Sequence, residues 1–136
     1  MTEFNGKYKL DNSTNFEEFM QALGVNFAMR KIGMTTKPTL TISTEDGKKF
    51  TFNSESTFKN IKLEFTLGEE YEDTSPDGRK TKNVITMENN KMTQLEKSRD
   101  GNGKEVTYVR ELTDDKDLKV TCTIGDIVCT RLYKRL

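Results

Sequence analysis

The chain has 136 residues, 22 of them basic and 22 acidic, with no histidine, a size that fits one domain with a real core, and no composition break marks a second. The charges cancel and are scattered singly, so no basic stripe offers a surface to nucleic acid. The commonest general base is absent, no apolar run approaches the ~20 residues that span a bilayer, and the opening Met1-Thr-Glu-Phe-Asn-Gly-Lys-Tyr8 has no apolar leader, so the chain reads as soluble and intracellular.

Tyr8 and Leu10 open a first strand over about Asn5 to Asn12. A helix follows, its start signalled by Asn15 with Glu18 three residues on. Phe16, Phe19, Met20 and Leu23 fall at i, i+3, i+4 and i+7 as one apolar stripe, and Gly24 is placed to end it. Asn26 is positioned to cap a second short helix carrying Phe27, Met29, Arg30, Lys31 and Ile32, with Gly33 expected to end it. Packing against a sheet accounts for most of these Phe and Met residues.

From Pro38 onward the helical period vanishes, and short strands recur at about ten-residue spacing between turn residues. The predicted strands are Leu40 to Thr44 and Lys48 to Asn53 around Asp46-Gly47, then Phe58 to Glu64. Glu69 to Asp73 and Arg79 to Met87 flank Pro76-Asp77-Gly78, and Lys91 to Lys97 and Lys104 to Glu111 flank Asp100-Gly-Asn-Gly103. With the closing pair this makes ten strands in an up-and-down meander, and the alternation of charged with apolar residues suits antiparallel strands wet on one face. Such a meander hides its edges by rolling into a barrel, and ten strands enclose more space than their own side chains fill. The fold expected is therefore all-β, a ten-stranded antiparallel barrel with a helix-turn-helix lid between the first two strands, as one domain over residues 1–136.

The closing stretch Leu118 to Tyr133 carries the chemistry. Gly125-Asp126 is a two-residue turn between β-branched runs, so Ile124 faces Ile127 and Cys122 faces Cys129. One face then bears Leu118, Val120, Cys122, Ile124, Ile127, Cys129, Arg131 and Tyr133. The cysteines read as small buried apolar side chains rather than a disulfide. Arg131 on an apolar face is costly unless an anion pairs with it, and Tyr133 offers a second donor to the same acceptor. The partner is either a ligand carboxylate or an internal acid, unless both side chains reach water at a barrel rim. The preceding strand repeats the pattern with Tyr108, Arg110 and Leu112, and no inward acid in these three strands answers the two arginines.

Catalytic motifs are missing: there is no Gly-x-Ser-x-Gly, no glycine-rich phosphate loop and no Cys-x-x-Cys, while the aspartates cluster in turns. A hydrolase or isomerase using the arginines on a carboxylate substrate has no base in register with them. A solid-cored interaction module is argued against by the same inward arginines. A carrier, without cofactor or metal, is the reading that remains.

Essentially the whole chain resembles the intracellular lipid-binding proteins, the fatty-acid-binding and cellular retinoid-binding group. The likeness is carried by Asn15-Phe-Glu-Glu-Phe-Met20, Leu23-Gly-Val25, Thr36-Lys-Pro38, Ser56-Thr-Phe-Lys-Asn60, Leu67-Gly-Glu-Glu70, Asp77-Gly-Arg-Lys80, Val109-Arg-Glu-Leu112 and Val128-Cys-Thr-Arg-Leu-Tyr133, specific in this order and spacing. It implies a monomeric lipid chaperone holding one long-chain fatty acid or related lipid, and delivering it from cytoplasm or nucleus to membranes, enzymes or a nuclear receptor, with membrane contact through the helical lid. Carried to matching positions, Arg131 and Tyr133 bind the carboxylate and Arg110 joins them. Phe16, Met20, Pro38, Tyr108, Val120 and Cys122 line the cavity, and Met29, Phe58, Pro76 and Asp77 form its portal. Tyr8 replaces the tryptophan usual in the first strand, a departure expected to touch packing only, and Tyr108 replaces a residue that is often aliphatic. Val25 to Ile32 and Glu69-Glu70 also resemble the retinoic-acid branch, which keeps that ligand as the alternative.

Overall fold

The computed structural model describes residues 3–75, 78–101 and 103–136; the portal expectations at Pro76 and Asp77 lie outside them. The chain runs β1 (Gly6–Thr14), α1 (Phe16–Leu23), α2 (Phe27–Thr35), then β2 (Thr39–Thr44), β3 (Lys49–Glu55), β4 (Asn60–Thr66) and β5 (Tyr71–Thr74). It continues through β6 (Lys80–Glu88), β7 (Lys91–Ser98), β8 (Val106–Leu112), β9 (Leu118–Ile124) and β10 (Ile127–Arg135). All ten strands form one antiparallel sheet in the order β4-β3-β2-β1-β10-β9-β8-β7-β6-β5. Joining the first strand to the last rolls the sheet into a nearly closed barrel, with its one unpaired seam between β4 and β5. Phe65 of β4 and Tyr71 of β5 stack across that seam with ring centroids 6.2 Å apart, so apolar contact stands in for the missing ladder.

The hairpin of β9 and β10 has the register the turn predicts, Ile124 opposite Ile127 and Cys122 opposite Cys129. Along β9 burial alternates strictly, with Leu118, Val120, Cys122 and Ile124 buried. In β1 the pairing with β10 skips Asp11 between Leu10 and Asn12, a bulge that bends the strand where it leaves β2 to feed the helices.

The first helix packs as its stripe requires, Phe19 and Met20 buried against the barrel and Phe16 and Leu23 partly so. Gly24 ends it in the left-handed region at φ 88°, where its N–H reaches back to the carbonyls of the last turn. The capping pair expected of Asn15 and Glu18 does not form. Asn15 takes the left-handed conformation at φ 60°, which asparagine tolerates, and its amide instead donates to the Val128 carbonyl at 3.1 Å, tying the helix start to β10. Asn26 does cap α2, accepting from the Met29 N–H at 2.9 Å. Gly33 does not end that helix, which continues to Thr35. A Cβ at Gly33 would lie 2.9 Å from Met20 Sδ, so the glycine serves the close approach of α2 to α1 rather than a stop signal.

Tyr8 does more than pack. Its hydroxyl donates to the Phe4 carbonyl at 2.7 Å and accepts from Arg135 Nη2 at 2.7 Å. The same guanidinium donates to the carbonyls of Glu3, Asn5 and Lys116. The two ends of the chain are thereby fastened together, and burial raises the Tyr8 phenol above its usual range despite the nearby Arg135.

Candidate functional site

The strand registers place the site before any side chain is considered. Arg110 lies opposite Val120, and Val120 opposite Arg131; one row over, Tyr108 lies opposite Cys122, and Cys122 opposite Cys129. Residues in register on one face of an antiparallel sheet point the same way, so β8, β9 and β10 turn both arginines inward around Val120.

Under the helices lies a hollow of about 320 Å³, the scale of a small-ligand site. Phe16, Met20, Pro38, Tyr108, Cys122, Arg131 and Tyr133 line it, and Met29 and Phe58 stand in the same wall. Of the residues assigned to the cavity from the sequence, Val120 and Arg110 are not in that wall. Val120 is buried between the two arginines, and Arg110 lies farther round the barrel, its guanidinium carbon 5.1 Å from the Phe52 ring and 5.8 Å from that of Tyr108. Phe52 belongs to β3, so Arg110 reaches across the interior.

Arg131 is held by two contacts that leave its charge unanswered. Its Nε donates to Ser13 Oγ at 3.1 Å, and its guanidinium carbon stands 3.9 Å from the centre of the Phe16 ring. The bulge in β1 sets up the first contact and the start of α1 the second. The Tyr133 ring centre is 5.9 Å away on the same strand face. Among the described residues neither Arg110 nor Arg131 has a carboxylate partner. Burial depresses the Arg110 guanidinium below its ordinary value, and its Nη1 is enclosed with no hydrogen-bond partner among the described residues. Together these groups can hold an anion with charge-assisted bonds inside the chamber.

The two thiols face each other across the β9–β10 ladder, and the interaction with Cys129, with burial, pushes the Cys122 thiol well above its usual range. Burial likewise pushes up the Tyr108 phenol, whose ring meets Phe19 edge-on at 6.1 Å. Tyr108 is therefore wedged between lid and sheet and narrows the chamber.

Sequence reasoning missed a polar belt on the adjoining strands β7 and β6. Gln94 Nε2 donates to Asn83 Oδ1 at 2.9 Å, Asn83 Nδ2 donates to Thr81 Oγ1 at 3.0 Å, and Arg79 pairs with Glu96 at 3.1 Å. Thr81, Asn83, Gln94 and Glu96 are all buried. They occupy alternate positions of β6 and β7, so the period-two pattern does carry the signal, but with polar residues where apolar ones are expected inside. Glu96 is an inward acid, supplied by a strand outside the last three, and it is taken by Arg79.

The lid is asymmetric. Met29 and Ile32 of α2 face the hollow, while Phe27 is 60% and Met34 50% exposed. Arg30 is committed locally, donating to the Val25 carbonyl at 2.7 Å and lying 3.8 Å from Glu17, which leaves Lys31, over the Phe27 ring at 5.3 Å, as the outward cation. Phe58, 43% exposed, carries Lys59 near its ring. No helix among the described residues is long and apolar enough to cross a membrane.

Residues 5–136 match the model of the Lipocalin / cytosolic fatty-acid binding protein family. The chain is 45% identical to human fatty acid-binding protein 9 over 133 residues, covering 98% of this chain and 97% of that one. Its fold superposes on Echinococcus granulosus fatty-acid-binding protein 1 with a TM-score of 0.91 at 34% identity, over 100% of this chain and 99% of that one. A Schistosoma mansoni fatty acid binding protein in complex with arachidonic acid gives 0.89 at 43% identity, over 100% and 98%.

Proposed function

Because the chain belongs to the lipocalin and cytosolic fatty-acid binding protein family, we infer that it is a non-enzymatic cytosolic carrier that encloses one long-chain fatty acid and releases it at membranes, to enzymes or to a nuclear receptor. The observation that carries this reading is the pair of inward arginines without a protein carboxylate. Inward, half-buried cations are stabilised where an anion completes them, and a fatty acid brings that anion together with a chain suited to the Phe16, Met20 and Met29 wall. In this reading Arg131 and Tyr133 take the carboxylate, Arg110 adds its field from behind Val120, and Met29 and Phe58 admit the chain. The exposed Phe27 and Met34 beside Lys31 supply an apolar and cationic face of the kind that rests on an anionic membrane.

Native mass spectrometry of gently purified protein, followed by extraction and identification of the bound lipid, tests this. One long-chain fatty acid per chain is expected. Retention of a retinoid in its place would move the assignment to the retinoid branch, and turnover of added carboxylates would overturn the carrier reading.

A further inference from the structure

The anion anchor on the last strand and the start of the first helix are built on one another. Ser13 lies opposite Arg131 in the β1–β10 ladder, and Thr14 opposite Thr130. The chain then turns at once into α1 through Asn15, whose amide donates to the Val128 carbonyl at 3.1 Å. Arg131 is gripped at the same corner. Its Nε donates to Ser13 Oγ at 3.1 Å, and its guanidinium carbon lies 3.9 Å from the centre of the Phe16 ring. No other cation comes so close to a ring among the described residues.

These two contacts decide which donors are left. A guanidinium can grip a carboxylate side-on through Nε and one Nη, or end-on through both Nη groups. Ser13 occupies Nε and Phe16 covers a face, while among the described residues no hydrogen bond engages either Nη. The end-on edge is the free one, on a side chain that lines the hollow beneath the helices. An arginine fixed before its partner arrives loses less freedom when the partner binds.

We propose that Ser13 and Phe16 are positioning residues for the anion: they hold Arg131 with both Nη groups free to take a carboxylate end-on, and through Phe16 the anion and the first turn of α1 stabilise each other. This rests on the carrier reading with Arg131 as its anchor, and adds how the anchor is held and what it is coupled to. The Phe16 ring shields the ion pair from water on one side, which strengthens it as the local dielectric falls. Coupling between two events is reciprocal, so a carboxylate that gains from the ring steadies the helix start that carries the ring by the same factor. A neutral lipid of equal length fills the chamber without that gain. The first helix of the lid therefore responds to the charge of the cargo as well as to its bulk. Its opening backbone bond, from the Phe19 N–H to the Asn15 carbonyl at 3.0 Å, reports that response.

The test measures dissociation constants of myristate and tetradecanol for the wild type and for Phe16→Leu, Phe16→Tyr, Ser13→Ala and Ser13→Thr. Leucine keeps an apolar wall without the ring, so packing losses fall on both lipids and the ratio of the two constants isolates the anion. The preference for myristate should fall by about two- to tenfold in Phe16→Leu and in Ser13→Ala, the scale of ordering one flexible side chain. It should return with the ring in Phe16→Tyr and with the hydroxyl in Ser13→Thr. Hydrogen exchange of the Phe19 amide supplies the second reading, and on the wild type it stands even where a variant fails to fold. That amide should exchange more slowly under saturating myristate than under saturating tetradecanol, and the difference should vanish in Phe16→Leu. Equal losses for both lipids would reduce Ser13 and Phe16 to ordinary packing and overturn the proposal while the carrier reading stands. A Phe19 amide that exchanges equally fast or faster under myristate would overturn it too. If the wild type binds neither lipid, the carrier reading itself falls.

Discussion

Arg131→Ala separates the ion pair from everything else the arginine does. In the empty barrel the guanidinium covers the Phe16 ring at 3.9 Å and bonds Ser13. Losing that cover costs about 0.5–2 kcal/mol of cation–π energy, together with the packing of the stem. That cost falls on every ligand alike, and on the empty protein too. The carboxylate adds a charge-assisted bond worth about 1.5–3 kcal/mol, roughly tenfold to 150-fold in affinity. A long-chain alcohol of the same length fills the same chamber without the charge. Titration calorimetry of both ligands against wild type and variant closes a cycle in which the packing cost cancels, and the carboxylate should lose more than the alcohol by that factor. Equal losses would refute the assignment of Arg131 as the anion anchor and reduce it to a structural cover for Phe16.

Phe58→Ala, at a ring 43% exposed over the mouth, should change stopped-flow rates of ligand entry and exit while moving the midpoint of urea unfolding by less than about 1 kcal/mol, as surface truncations do; unchanged rates would place the entry route elsewhere. Lys31→Glu with Phe27→Ser should abolish any acceleration of fatty-acid transfer by anionic vesicles and leave affinity intact, whereas transfer indifferent to vesicle concentration in the wild type would show that the ligand leaves through water. The Tyr71 phenol, raised by burial to about 12 in the fold against about 10 when unfolded, keeps its proton where the unfolded chain loses one. Its contribution is complete below pH 10 and is lost as pH climbs toward 12. After discounting for partial screening it amounts to about 1–2 kcal/mol, so stability measured over that window should fall more steeply in wild type than in Tyr71→Phe.

The closing hairpin was legible because its signals are local: a two-residue turn fixes the register and a period of two fixes the face. Those rules deliver Cys122 opposite Cys129, and Arg131 and Tyr133 on one face, with no tertiary information. Asn15 and Gly33 failed as local signals because their roles lie in other elements. Asn15 reaches β10 in place of its own first turn, and Gly33 makes room for Met20 of the other helix. Tyr71 was silent for another reason: β5 has four residues, too few for alternation to assign a face.

The polar belt changes the charge argument without reversing it. From the last three strands alone, two inward arginines faced no acid, and the conclusion that an anion must come from outside depended on the other seven strands supplying none. One of them supplies Glu96, buried on β7. Had it reached Arg110, Arg131 alone of the pair would still have called for an anion from outside. Instead Arg79, from the turn before β6, takes Glu96 at 3.1 Å. The interior thus brings together Arg79, Arg110 and Arg131 against Glu96, while the other buried carboxylate, Asp117, is taken by Lys134 and the Arg135 N–H, and an excess of positive charge remains around Val120. In a chamber walled by Phe16, Met20 and Cys122, where the dielectric is low and desolvation costly, that excess is tolerable in proportion to how completely a ligand carboxylate compensates it.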